Sequence, residues 1–177
     1  ERPLLLVGCP PCTAFSQLFR TNLSRMKPQD VQRKIREGLV HLNFCIELYK
    51  IQIDGGRDFL HDHPGGAWSW QTSKMTELLS TPGVHAVRGD MCEHGMTLKD
   101  SDGIEKPVRK PTGFCSNSKH ILREMNKQCR GNHSHTVLKN GLPAKAAIYP
   151  PALCKAMLDG RAAQMHAEER PVSNYLN

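Results

Sequence analysis

The sequence predicts an α/β fold: a partial doubly wound, mostly parallel sheet with an antiparallel hairpin at its edge. Three observations predict it. Arg2 to Cys9 is a continuous apolar run of the kind buried on both faces of a parallel sheet. A long helical periodicity follows, and short strands then alternate with helices until a hairpin closes the series.

The first strand, Arg2–Cys9, stops at Pro10-Pro11, since proline cannot continue a central strand. From Lys27-Pro28 to Ile53, the residues Ile35, Leu39, Leu42, Phe44, Ile46, Leu48 and Tyr49 recur at intervals near three and four, and Gly55-Gly56 ends the helix they mark. Arg57 to Asp62 reads as a second strand closed by Pro64-Gly65-Gly66. A helix from Trp70 to Leu79 and a third strand, Val84 to Arg88, follow. Asp100-Ser101-Asp102-Gly103 is a turn signal within an extended pair spanning Met96–Pro107, and Lys110 to Cys115 is the returning strand. A helix over Ser118–Met125 takes its cap from Asn117 or Ser118. Pro150-Pro151 opens the last helix, Ala152 to Ala163.

A length of 177 residues fits one domain with its own core. No run of about 18 apolar residues exists, so no membrane-spanning helix is expected. Seven cysteines, an odd number without a regular framework, read as reduced thiols of an intracellular protein and not as a disulfide scaffold. The net charge of +7 suits a polyanionic partner. It gathers in two clusters: Arg20, Arg25, Lys27, Arg33, Lys34 and Arg36, and the stretch 99–139, where nine basic side chains face four acidic ones. Basic residues such as Arg20, Arg25, Lys110, Lys119 and Arg123, with Ser16, are the expected nucleic-acid contacts. A solvated helix face is the ordinary alternative.

Gly8-Cys9-Pro10-Pro11-Cys12-Thr13-Ala14-Phe15-Ser16 is the sharpest motif. A buried strand running into a rigid turn presents Cys12 at the strand's carboxyl end, where open α/β sheets bind ligands. There the thiol is either a nucleophile or a small hydrophobe within a proline-rich turn.

This stretch resembles the catalytic loop of DNA (cytosine-5) methyltransferases. The resemblance implies a Rossmann-like methyltransferase sheet, S-adenosylmethionine as methyl donor and DNA, or RNA, as partner, in the nucleus. It assigns Cys12 as the nucleophile toward cytosine C6. Asp62, in Phe59-Leu60-His61-Asp62-His63-Pro64, stands where the family has a glutamate that holds N3, although Pro64 departs from the family's valine. Arg109 and Lys110 fall where the family contacts base and phosphate. Ala147-Ile148-Tyr149-Pro150-Pro151 resembles the start of the family's closing helix, so Pro10, Pro11, Tyr149 and Pro150 are the expected cofactor-side residues. The family's glycine-rich cofactor motif lies upstream of the Pro-Cys strand. The chain is therefore expected to be one α/β domain, residues 1–177, from the catalytic and carboxyl-terminal part of a longer protein, with a basic hairpin and loop insertion over 96–140. The pairing of Pro-Pro-Cys-Thr with His-acid-His-Pro also resembles segments of retroelement-like polyproteins.

Cys129-Arg130-Gly131-Asn132-His133-Ser134-His135 places three metal-binding side chains within seven residues, preceded by Cys92-x-His94 and Cys115. With Cys115 as the distant fourth ligand, Cys129, His133 and His135 could form a tetrahedral zinc site; a polar solvated loop is the alternative. His61 and His63 share one strand face, opposite Asp62, where they could coordinate a metal, orient a base or stand as satisfied strand-end histidines. Trp68 and Trp70 pack the loop after the second strand, with base stacking the second choice. Two functions stay open. One is a cytosine-5 methyltransferase-like catalytic domain; the other is a non-catalytic nucleic-acid-binding or assembly module, zinc-stabilised or not.

Overall fold

The computed structural model describes residues 2–100, 102–139 and 141–168, so Ser101 of the expected turn lies outside the described residues. The elements run β1 (Leu5–Gly8), α1 (Gln17–Thr21), α2 (Pro28–Asp54), β2 (Asp58–Pro64), α3 (Ser73–Leu79), β3 (His85–Asp90), β4 (Thr97–Lys99), β5 (Glu105–Pro107), β6 (Pro111–Ser116), α4 (Lys119–Met125), α5 (Leu142–Lys145) and α6 (Pro151–Ala167). The chain gathers into two compact units. The first comprises Glu1–Ala86 and Gly113–Ser118, the second Val87–Thr112 and Lys119–Asn177.

The α/β class is as expected, but the mostly parallel sheet is not. β1 and β2 do pair in parallel, with Leu5 opposite Asp58 and Gly8 opposite His61. The four-stranded sheet has the order β1-β2-β6-β3 and is mostly antiparallel. Ser116 and Asn117, at the end of β6, bond Phe59 and Arg57 at the start of β2, so these two strands run in opposite directions. The physical reason is the connection into β6. From β3 the chain reaches β6 through the β4–β5 hairpin with no crossover helix, the element that usually joins neighbouring parallel strands.

In the first unit, α2 carries the core. It buries Gly38, Leu42, Ile46, Tyr49 and Gln52, one stripe at intervals of three and four, against Phe15, Phe59, Met75 and Leu78. Tyr49 stacks on Phe59 with ring centroids 4.6 Å apart and donates its hydroxyl proton to the Gly8 carbonyl at 3.1 Å. Gln52 reaches the carbonyls of Pro3 (3.0 Å) and Asp58 (2.8 Å), tying both parallel strands to the end of the helix. Asn117, one of the two expected caps of α4, accepts from the Phe59 N–H and donates to the Arg57 carbonyl, so its amide pins β2.

The helix expected from Trp70 begins only at Ser73. Trp68 donates to the Ala14 carbonyl (3.0 Å) and Trp70 to the Pro64 carbonyl (2.9 Å), and these bonds hold residues 68–71 in a 3-10 turn. Both indoles pack against the first unit's core.

In the second unit α4 packs on α6 through Ile121, Leu122 and Met125 on one side and Leu153, Ala156 and Met157 on the other. Residues 126–139 form neither helix nor strand. Thr136 anchors this stretch by donating its N–H to the Pro107 carbonyl (2.9 Å) and its hydroxyl to the Leu98 carbonyl (3.0 Å). Among the described residues, no helix is long and apolar enough to cross a membrane.

Candidate metal centre

Four donor side chains converge in the second unit: Cys92, Cys129, His133 and His135, whose ligand atoms all lie within 4.8 Å of one another. Each is half-buried. Cys92 sits on a 3-10 turn, Met91–His94, that follows β3 and ends at Gly95. The other three come from the irregular stretch after α4.

The Cys129 sulfur lies 3.6 Å from His133 Nε2 and 3.4 Å from His135 Nε2. The His133 Nδ1 faces the Asn132 side-chain oxygen at 2.8 Å. That bond puts the ring proton on Nδ1 and turns the Nε2 lone pair toward the cluster. Gly131, at φ +73°, directs its N–H to the Cys129 sulfur at 3.3 Å, a backbone conformation that L side chains rarely adopt. Burial, followed by the neighbouring Cys129 thiol, pushes the Cys92 thiol up to about 12. Two thiols and two imidazoles in this arrangement could hold a metal ion.

Compared with known families, curated proteins and solved structures, the chain matches none.

Of the four ligands expected from the sequence, the structure brings three together and replaces the fourth. Cys115 is fully buried in β6, inside the first unit's core, where burial pushes its thiol up to about 12. Cys92 takes its place. The sequence does carry a signal for it, since each cysteine is followed within three residues by a glycine, Gly95 and Gly131, that adopts the left-handed conformation of a tight turn.

The other expected site residues divide between the units. Cys12 precedes a single 3-10 turn, Thr13–Phe15, and is half-buried. Asp62 is buried in β2 between His61 and His63, whose rings share the opposite face with centroids 5.5 Å apart. A cavity of about 250 Å³ beside the Cys12 loop is lined by Pro11, Thr13 and Ala14 and by Lys34, Glu37, Gly38 and His41 of α2; neither Cys12 nor Asp62 lines it. Pro10 is buried.

The Ser16 hydroxyl accepts from Phe19 N–H (3.1 Å) and donates to the Thr13 carbonyl (2.9 Å), so it serves the first turn of α1. Arg20 and Arg25 are exposed. In the second unit Tyr149 and Pro150 line a cavity of about 440 Å³ with Met96, Leu98, Lys145 and Ile148. Lys110 donates to the Ala146 carbonyl at the end of α5 (2.8 Å), a structural use of its charge. Lys119 and Arg123 are exposed on α4. The half-exposed Arg109 pairs through Nε with the Asp90 carboxylate at 3.4 Å.

Proposed function

We propose that the second unit is a zinc-stabilised module that binds nucleic acid. One observation carries the zinc assignment. With zinc–sulfur bonds of about 2.3 Å and zinc–nitrogen bonds of about 2.0–2.1 Å, a tetrahedral site holds its sulfur and nitrogen donors about 3.6 Å apart. The Cys129 sulfur stands 3.6 and 3.4 Å from its two imidazole nitrogens. Two thiolates with two imidazoles match zinc's preference, and four protein ligands leave no open position, which marks a structural ion and not a catalytic one. Such an ion would organise residues 126–139, which form no ladder or helix of their own.

The nucleic-acid part rests on charge. Lys99, Lys119, Arg123, Arg130 and Lys139 are exposed and form no ion pair among the described residues. Five such cations in one unit suit a phosphate backbone, with affinity falling steeply as salt rises. Metal analysis and oligonucleotide binding test the two halves. The purified protein should carry one zinc per chain and bind a labelled oligonucleotide with a log-log salt slope of several units. Absence of stoichiometric zinc after growth in zinc-supplemented medium removes the first half, and salt-independent or absent binding removes the second.

A second reading keeps the methyltransferase chemistry. Supporting it is the parallel β1–β2 pair, with Cys12 beyond the carboxyl end of one strand and Asp62 near the carboxyl end of the other. In this reading the Cys12 thiolate attacks cytosine C6 while Asp62 holds N3. The residues expected beside the cofactor divide between the units, Pro10 and Pro11 in the first and Tyr149 and Pro150 in the second. DNA carrying 5-fluorocytosine should trap a covalent adduct, in the presence of S-adenosylmethionine, that Cys12→Ser abolishes. No adduct sinks this reading and leaves the zinc module untouched.

A further inference from the structure

We infer that Asp90 is the positioning residue of the metal centre: its carboxylate holds the Cys129 loop in the geometry that binds the ion. The inference rests on the metal reading above and extends it to a residue that is not itself a ligand. Asp90 closes β3, two residues before Cys92. Its side chain is only 2% exposed, an unusual place for a carboxylate. One carboxylate oxygen, Oδ2, accepts the Cys129 N–H at 2.9 Å and faces Arg109 Nε at 3.4 Å. The other, Oδ1, is buried and has no hydrogen-bond partner among the described residues.

A buried carboxylate with one bare oxygen costs stability unless its remaining bonds do something that a neutral residue could not. The half-exposed ion pair with Arg109 is a poor reason to bury it, since such pairs contribute little. The bond to Cys129 is different in kind. It is a charge-assisted bond to the main chain of a ligand residue, from a carboxylate two residues away from the other sulfur ligand.

The main chain reinforces it. Asp90 N–H donates to the Lys127 carbonyl (2.8 Å) and Met91 N–H to the Arg109 carbonyl (2.6 Å). Three segments thus meet at one residue: the Cys92 turn, the strand entering β6, and the chain leading into Cys129. The two cysteines are 37 positions apart in sequence, and Asp90 is where their segments are bonded to each other. Partners of this sort orient metal ligands, and losing one weakens metal affinity by about 10–100-fold.

The test is a cobalt(II) titration, followed by zinc competition, on the parent protein, Asp90→Ala and Asp90→Asn. The parent should give the intense visible absorption of tetrahedral cobalt bound through thiolates. Asp90→Ala should lower zinc affinity by about 10–100-fold and shift the cobalt spectrum. Asp90→Asn, whose amide oxygen can still accept the Cys129 N–H, should recover part of the affinity. A merely structural role would lower the melting temperature equally with and without metal and leave affinity alone. Affinity within threefold of the parent in both variants overturns the inference while the zinc centre stands. A parent protein that binds neither cobalt nor zinc overturns the metal reading and this inference with it. Should Asp90→Ala fail to fold, an Asp90→Asn variant with parental affinity and parental spectrum overturns the inference on its own.

Discussion

At the scale of single residues, position in three dimensions decides between side chains of the same chemistry. Cys92 and Cys115 are both single cysteines upstream of the Cys129 cluster, yet one joins the donors and the other fills a core. Cys92→Ser should therefore abolish stoichiometric metal binding, while Cys115→Ser should leave it intact; the reverse result would reinstate Cys115 as the ligand. The histidines of β2 follow the same logic. Tyr49 gives its proton to the Gly8 carbonyl, so it accepts from His61 Nδ1 at 2.9 Å, and the buried His61 Nε2 lone pair has no hydrogen-bond partner among the described residues. His63 Nδ1 meets the Ser69 hydroxyl at 2.6 Å. Burial pushes His61 down to about 3 and His63 down to about 4, both from 6.5. Lowered values mean that the unfolded chain binds protons the folded one refuses. This contribution to stability is complete above pH 6.5 and is lost as pH falls through the window from 6.5 toward 4 and then 3. Denaturant midpoints measured against pH in excess chelator should show a slope of about two protons from this pair there, to which His94, also lowered by burial, adds. His63→Gln should reduce it by one, and an unchanged slope would contradict the assignment.

At the scale of elements, the long helix was the most legible feature and the sheet the least. Of the apolar residues from Ile35 to Tyr49, the 27-residue helix buries Leu42, Ile46 and Tyr49 in one stripe, while Phe44 points to solvent. Strand alternation likewise revealed that His61 and His63 share a face. Alternation says which way a side chain points, but not which strand lies alongside or in which direction it runs. The insertion of β6 between β2 and β3 was therefore hidden, as was the shortening of the helix after Trp70, which depends on the two indole bonds to distant carbonyls. The crossing of α4 and α6 is equally non-local. A Cβ added at Gly160 would stand 2.7 Å from Ile121 Cα and 3.0 Å from the His120 carbonyl oxygen, so the helices approach there backbone to backbone. Gly160→Val should cost about 1–3 kcal/mol through forced separation of the pair. A melting temperature equal to the parent's would show that the helices do not cross as closely as this.

At the scale of the whole molecule, the two units carry different chemistry: a helix-backed pair of parallel strands with the Cys12 loop in one, a donor cluster on irregular chain in the other. The second should respond to metal. Limited proteolysis after chelation should cut first between 126 and 139, where the backbone lacks a ladder, and zinc should restore protection. Cleavage there at the same rate with and without zinc would show that the ion does not organise this stretch. The amino-acid sequence alone determined the α/β class, the long helix and the local Cys129–His133–His135 triplet, because each depends on neighbours within a few residues or on period. Tertiary structure alone decided the strand order, the exchange of Cys115 for Cys92 and the part played by Asp90. These depend on which distant segments meet, and that is set by how buried surface and backbone hydrogen bonds are satisfied together, not by any local pattern.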